Sequence, residues 1–343
     1  MVTSVIPEKA ATPDLAKVRE EFRELLSGCG VYDLNSRAQI SLTGSDRVRW
    51  LNGMVTNNIR DLAAGHGVYA FLLNPQGRIL GDLYAYNRGD SIIVESDRAQ
   101  SEKLLATFDH YIIMDDVEVA RLSEVTAIGI AGPKATQALH AAGVDMTELE
   151  PLQFAQVTWR NIPVTVARGD NASLENYEVW LASNTAPAVR DALTTAGAKP
   201  VSADAMELLR IASGIPRYGQ DIRERDLPQE TEQQRALNFS KGCYVGQEIV
   251  ERIRSRGAVH RMFTGFEVQG EFPALGTKIQ SDGKDVAEIT SAASLPVTGG
   301  ERRVALGYIR REIGAPGKQL QLGSTQLTVA ALPFSEIFQR ENR

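Results

Sequence analysis

Eight consecutive residues, Lys241-Gly242-Cys243-Tyr244-Val245-Gly246-Gln247-Glu248, bring together a thiol, a cation, an amide–carboxylate pair and two glycines. A thiol becomes a useful nucleophile when a neighbouring cation or the positive end of a helix favours the thiolate. The octet offers both. Lys241 stands two residues upstream. Downstream, Val245, Ile249 and Ile253 recur four apart and predict a helix with one apolar face. Glu248 precedes Arg252 by four, the better orientation for an ion pair on the solvent side, and Arg256-Gly257 reads as a C-terminal cap. Leu237-Asn238-Phe239 alternates as a short strand. The octet is therefore expected to be a strand-to-helix junction with Cys243 near the helix N-terminus. Two readings stand. In one, Cys243 is a low-pKa thiol facing a cleft, with Gln247 and Glu248 orienting the loop. In the other, Gly242 and Gly246 serve a tight turn and Cys243 is a small buried apolar residue.

The elements that must position this stretch are legible as patterns. Residues 1–11 read as a tail, and Thr12-Pro13 as a helix opening, with Leu15, Val18, Phe22, Leu25 and Leu26 inward and Gly28 at the end. Cys29 then reads as filler. Ala38, Ile40 and Leu42 alternate as a strand, and Gly44-Ser45-Asp46 opens a helix through Leu51. Two strands flank the turn Asn74-Pro75-Gln76-Gly77, followed by a strand at 91–95, a helix at 98–108 and a strand at 117–122. The pattern then restarts: Ile128-Gly129-Ile130-Ala131-Gly132-Pro133 is similar to Ile40-Ser41-Leu42-Thr43-Gly44-Ser45. Strands near 163–167 and 177–181 and a helix at 186–196 complete it, and a further helix spans 203–213. After Met262, short strands punctuated by glycines predict a small β-barrel or sandwich. The expected fold class is α+β: two related antiparallel α+β units, helices on one face of each sheet, plus a small C-terminal β-barrel. The expected domains are 1–50 with 125–260, 51–124, and 261–343. No G-x-G-x-x-G or P-loop is present.

A chain of 343 residues exceeds one ordinary core, so two or three domains are expected. A net charge of −6 argues against DNA or other nucleic acid binding over the whole surface. Yet Arg235 to Arg261 carries six Lys/Arg against two Glu. That cluster is either a solvated helix face or a seat for a polycarboxylate or RNA. Two distant cysteines exclude a disulfide framework and suggest a reducing compartment. His66, His110, His140 and His260 show no metal-ligand spacing, so no metal is expected. No membrane-spanning run or signal core is found, and the cytoplasm is the expected location.

The octet matches the K-G-C-[YF]-x-G-Q-E signature of the YgfZ-type folate-binding proteins, relatives of the glycine cleavage T protein (aminomethyltransferase). A second stretch, Leu209-Arg210 through Gly214, Pro216, Tyr218-Gly219 and Asp221-Ile222, with Pro228-Gln229-Glu230 downstream, resembles another signature of that family. The resemblance implies the T-protein fold over nearly the whole chain after residue 13. It implies tetrahydrofolate, or a one-carbon derivative, bound in a central cleft between the two units and the barrel, with Cys243 at its rim. Glu178 matches the acid that holds the pterin ring, with Trp180 on the same strand face, or else forms a cross-strand charge pair; Arg210 matches an Arg near the folate channel, or else makes a helix–loop ion pair; Thr56-Asn57 is similar to a pair that lies near the pterin in relatives, which gives Asn57 a ligand role, or else is a polar turn. Tyr218 either contacts the ligand or closes a core. Asp82, in Ile79-Leu80-Gly81-Asp82-Leu83, is the remaining member of the family's paired hairpin acids. Gly81 replaces the first, which counts against aminomethyl transfer if that position does the work. Strand alternation points Gly81 and Asp82 to opposite faces, and Asp82 reads otherwise as a solvent-facing strand residue. The YgfZ resemblance implies support of iron–sulfur protein assembly or repair, tRNA-modifying enzymes included. One-carbon transfer to tetrahydrofolate is the enzymatic alternative, and an RNA-binding module without folate a third.

Overall fold

The computed structural model describes residues 14–257, 259–297 and 300–339. The tail, Thr12 and Pro13 lie outside them, as do the side chain of Arg256 and Gly299. The first helix, Leu15–Ser27, is capped by Asp14, whose Oδ1 accepts from the N–H groups of Ala16 and Lys17 at 3.1 and 3.3 Å.

The restart in the sequence is a structural repeat. Each copy runs strand, helix, three strands, helix, strand. The first copy is Arg37–Thr43, helix Arg47–Met54, His66–Leu73, Ile79–Asn87, Ile92–Asp97, helix Ser101–Tyr111 and Glu118–Arg121. The second is Val125–Ala131, helix Ala135–Ala141, Phe154–Trp159, Ile162–Arg168, Asn176–Ala182, helix Ala186–Thr195 and Lys199–Pro200. Corresponding strands take the same order across their sheets. In the second sheet Gly30–Asp33 is inserted between Val125–Ala131 and Lys199–Pro200. The boundary expected at residue 50 therefore falls inside a helix, and Arg37–Thr43 belongs to the 51–124 unit. Its alternating apolar residues find their ladder with Ile92–Asp97 and Glu118–Arg121.

Each sheet has helices on its outer face. Ile128, Val166 and Val179 pack under Leu139 and Leu193. Ile40, Leu83 and Val94 pack under Leu51 and Phe108. The inner faces meet each other. Trp180, Phe154 and Ala167 of one sheet abut Tyr86 and Ile93 of the other, with the Trp180 and Tyr86 rings edge-to-face at 4.8 Å. The rest of the 37–121 sheet's inner face (Tyr69, Phe71, Leu73, Ile79) is covered by Ile222, Ala236, Tyr244 and Val250.

From Arg261 onward six antiparallel strands form a sheet whose edge strands, Lys278–Ser281 and Gln319–Leu322, lie alongside each other, so the barrel is nearly closed. Helices Leu15–Ser27 and Ala203–Ala212 fix it through Phe22, Leu209, Phe263 and Leu306. Two fully buried acids of the connecting loop also hold it. Asp221 accepts from the hydroxyls of Thr290 and Ser291 at 2.5 and 2.7 Å, and Asp226 from Arg261 at 2.6 Å. Among the described residues no helix is long and apolar enough to cross a membrane.

Candidate functional site

The two sheets leave a gap at one edge of their shared interface, a cavity of about 200 Å³ roofed by helix Ala203–Ala212. Alternation in Asn176–Ala182 turns Tyr177, Val179 and Leu181 to the helices and Glu178 and Trp180 to the other sheet, where Glu178 lines the gap. Trp180 Nε1 donates to Glu178 Oε2 at 2.9 Å. Burial first, then the neighbouring Glu95 carboxyl, pushes Glu178 up to about 8. Across the gap stand Arg37, Tyr84 and Tyr86 of the other sheet. Arg37 Nε donates to Glu95 Oε1 at 2.6 Å. Asn176 presents a buried Oδ1 with no protein partner.

Beside the cavity, Arg235 pairs with Asp170 and lies over the Tyr69 ring, 4.3 Å from its centroid, while Tyr84 donates to Asp170 Oδ1 at 3.1 Å. Tyr69 donates to Asp82 Oδ2 at 2.7 Å, and Gln100 Nε2 to Asp82 Oδ1 at 2.8 Å. Asp82 is thus half-buried on the inner face of its sheet, among Tyr69 and Tyr84. Position 81 points the other way: a Cβ on Gly81 would meet Gln100 Oε1 at 2.9 Å and Leu104 at 3.3 Å. An acid there would enter the helix-side core. The loss of the first hairpin acid therefore removes no carboxylate from the inner face, and the objection drawn from Gly81 falls.

Three expected ligand contacts are otherwise engaged. Arg210 lines the cavity, but all five of its N–H groups are taken: Glu207 accepts two, and Asp221, the Ile215 carbonyl and Ser291 accept the rest at 2.6–2.9 Å. Its fork joins the roof helix to the barrel, which does not itself line the cavity, and leaves no donor for a folate carboxylate. Tyr218 lies outside the lining. Its hydroxyl donates to the Leu80 carbonyl at 2.5 Å and accepts from Lys103 at 3.2 Å, so it closes a core. Asn57 Nδ2 donates to the carbonyls of Tyr69 and Arg235, both at 2.8 Å, and so brackets the two residues beside Asp82.

The octet is not a strand-to-helix junction. Leu237–Phe239 forms no strand, and the helix begins only at Gln247, with Gly246 at its cap. Cys243 is exposed, four residues short of the helix and outside the cavity lining. Lys241 does not serve the thiol. It is buried, and its ammonium donates to the carbonyls of Asn52, Val55 and Asn57 at 2.6, 2.5 and 2.7 Å. Burial, and secondarily Arg60, lowers it to about 7 against those three acceptors. Gly246 has φ +81°, and a Cβ there would lie 2.6 Å from the Asn74 carbonyl oxygen. Gly77 faces it, with a would-be Cβ 2.7 Å from Ile249. The octet is wedged backbone to backbone onto the Asn74–Gly77 turn. Gly242 meets nothing within 4 Å, so only one of the two octet glycines is sterically required. Gln247 and Glu248 make no side-chain hydrogen bond among the described residues, and the helix's ion pair is Arg254–Glu251 rather than Glu248–Arg252. The basic cluster is likewise split. Arg235, Lys241 and Arg261 turn inward to Asp170, the three carbonyls, and Asp226 with Glu230.

Sequence reasoning missed Arg37, Glu95, Asp170, Asn176 and Arg235. A signal existed for Glu95: strand alternation puts it on the same face as Ile93, so the carboxylate is out of place unless something across the sheet receives it.

The comparisons agree with this architecture. The family model described as the GCVT N-terminal domain matches residues 8–241. A protein of Rubrobacter xylanophilus named aminomethyltransferase is 28% identical over 302 residues, 87% of this chain and 80% of that protein. One of the same name from Rippkaea orientalis is 26% identical, covering 93% and 89%. A chloroplastic putative transferase of Arabidopsis thaliana is 25% identical, covering 87% and 69%. The crystal structure of the glycine cleavage system aminomethyltransferase T from Bartonella henselae superposes with a TM-score of 0.82 at 21% identity, over 93% of this chain and 90% of that one, which establishes the fold. With two thirds of its length matched, the chain belongs to the GCVT N-terminal domain family.

Proposed function

We propose that this protein binds tetrahydrofolate by its pterin head and acts as a YgfZ-type accessory of iron–sulfur enzymes, tRNA-modifying ones among them. The observation that carries the folate reading is Glu178 in the inter-sheet cavity, with Trp180 fixing one of its oxygens. A carboxylate accepts two parallel N–H bonds from an aminopyrimidine edge, and the unpartnered Asn176 Oδ1 offers a further acceptor. Tyr84 and Tyr86 supply aromatic walls. At about 200 Å³ the cavity is smaller than the roughly 300–1,000 Å³ of whole-ligand pockets, so it suits the ring, with the tail outside. The accessory role is supported by the octet, which exposes Cys243 on a loop wedged to the hairpin that carries Asp82.

One-carbon transfer is a second reading, favoured by the inward placement of Asp82 and by the names of the relatives. In that reading Asp82, held by Tyr69 and Gln100, would receive or steer a proton at the reacting nitrogen. Tetrahydrofolate titration followed by tryptophan fluorescence tests the shared step. Saturable quenching is expected, weakened about ten- to a hundredfold by Glu178→Gln, the worth of a charge-assisted pair; a flat titration overturns folate binding. Cys243→Ala is expected to keep that affinity and lose support of client iron–sulfur activity in cells, and full complementation would remove the thiol's role. Steady turnover with an aminomethylated lipoyl carrier, abolished by Asp82→Asn, would install the second reading instead.

A further inference from the structure

Glu95 is 1% exposed, on strand Ile92–Asp97. Arg37 donates to its Oε1, and its Oε2 has no partner that can donate to it. Glu178 faces it from the other sheet, across the cavity lined by its cross-strand neighbour Tyr84 and its ion-pair partner Arg37, and the Glu95 carboxyl favours the protonated form of Glu178. Two ionised carboxylates facing each other there repel and offer each other no donor; a single proton between them removes both faults. The surrounding charges are consistent with one proton. Arg37 balances one carboxylate. Arg235 and Asp170 neutralise each other, and Arg210 is matched by Glu207 and Asp221. The hydroxyls of Tyr32 and Tyr86 are raised by burial and by these same acids, and so stay neutral.

We propose that Glu95 and Glu178 share one proton in the free protein, and that a ligand edge donating two N–H groups to Glu178 displaces that proton to solvent. Glu95 does not line the cavity and acts through Glu178, so it is a positioning residue. It makes the cavity selective for a donor–donor edge, because an acceptor-bearing edge gains nothing from expelling the proton. The choice of a pterin as that edge rests on the folate reading; the shared proton does not.

The test uses the full chain labelled with carboxyl-¹³C glutamate. A pH titration by NMR is expected to show one glutamate carboxyl, assigned by its loss in Glu178→Gln, titrating well above the ordinary range in wild type and falling by at least one pH unit in Glu95→Gln. If every wild-type glutamate titrates in the ordinary range, the shared proton is overturned without recourse to any variant. The ligand arm uses 5-formyltetrahydrofolate as probe, by calorimetry in two buffers of different ionisation enthalpy. Wild type is expected to release close to one proton at pH 7 and to gain about tenfold in affinity per pH unit up to the pair's upper value. Glu95→Gln is expected to bind with little release and a flat pH profile. Equal release in both proteins, or none in wild type, overturns the displacement. Absence of any binding alongside a raised carboxyl would defeat the folate reading and leave the proton pair standing.

Discussion

Glu178 is held up by burial and by Glu95, and this has a consequence for stability as well as binding. Its folded value of about 8 lies above the 4.5 of a free glutamate. Its contribution to stability is therefore fully present below about pH 4.5 and is lost as pH rises through about 8. Urea midpoints from pH 5 to 9 are expected to fall for wild type relative to Glu178→Gln across that window; parallel curves would show that Glu178 titrates alike in both states. At this scale the sequence was readable where chemistry follows from strand alternation. Glu178 with Trp180 on one face is such a case, and so is the opposition of Gly81 and Asp82, although which of those two faces was the inner one was not. It was unreadable where a side chain's partners come from far along the chain. For Arg210 the sequence left open a folate carboxylate or a helix–loop ion pair; the ion pair is what forms, and its further bond to Ser291 was not readable because Ser291 lies 81 residues away and belongs to the barrel.

The octet works as an element. With the helix it leads into, it closes the inner face of one sheet through Tyr244 and Val250, and it fits because Gly246 and Gly77 bring two backbones together. Gly246→Ala meets both a left-handed φ and the Asn74 carbonyl, and is expected to cost at least about 2 kcal/mol in chemical denaturation. Lys241→Met relieves a buried charge but orphans three carbonyls, each worth about 1–3 kcal/mol when unsatisfied. A net loss of about 3 kcal/mol or more is expected, and a variant as stable as wild type would show that water replaces the ammonium. Periodicity found the helix Gln247–Arg256, although Val245, counted on its apolar face, lies two residues before it. It assigned Lys241 to the thiol because spacing registers neighbours along the chain, whereas the true acceptors lie 184 to 189 positions earlier.

Across the whole molecule, the repeat was visible as a returning strand-Gly-helix signature, and the shared strand order bears it out. The division between units was not visible, since Arg37–Thr43 and Val125–Ala131 look alike and only pairing tells which sheet each joins. The barrel was foreseen from glycine spacing, but its attachment was not. The family model stops at residue 241, yet Asp221 and Asp226, inside that segment, are completed by Thr290, Ser291 and Arg261 beyond it. Asp221→Ala should therefore lower the midpoints of the barrel and the α+β units together, as one cooperative transition followed by near-ultraviolet dichroism; separate transitions would contradict this. The matched segment is thus not a detachable module. Severance after residue 260 would strip Asp226 of its Arg261 cation and Asp221 of the two hydroxyls it holds beside Arg210, and would bare the apolar sides of both helices that seat the barrel.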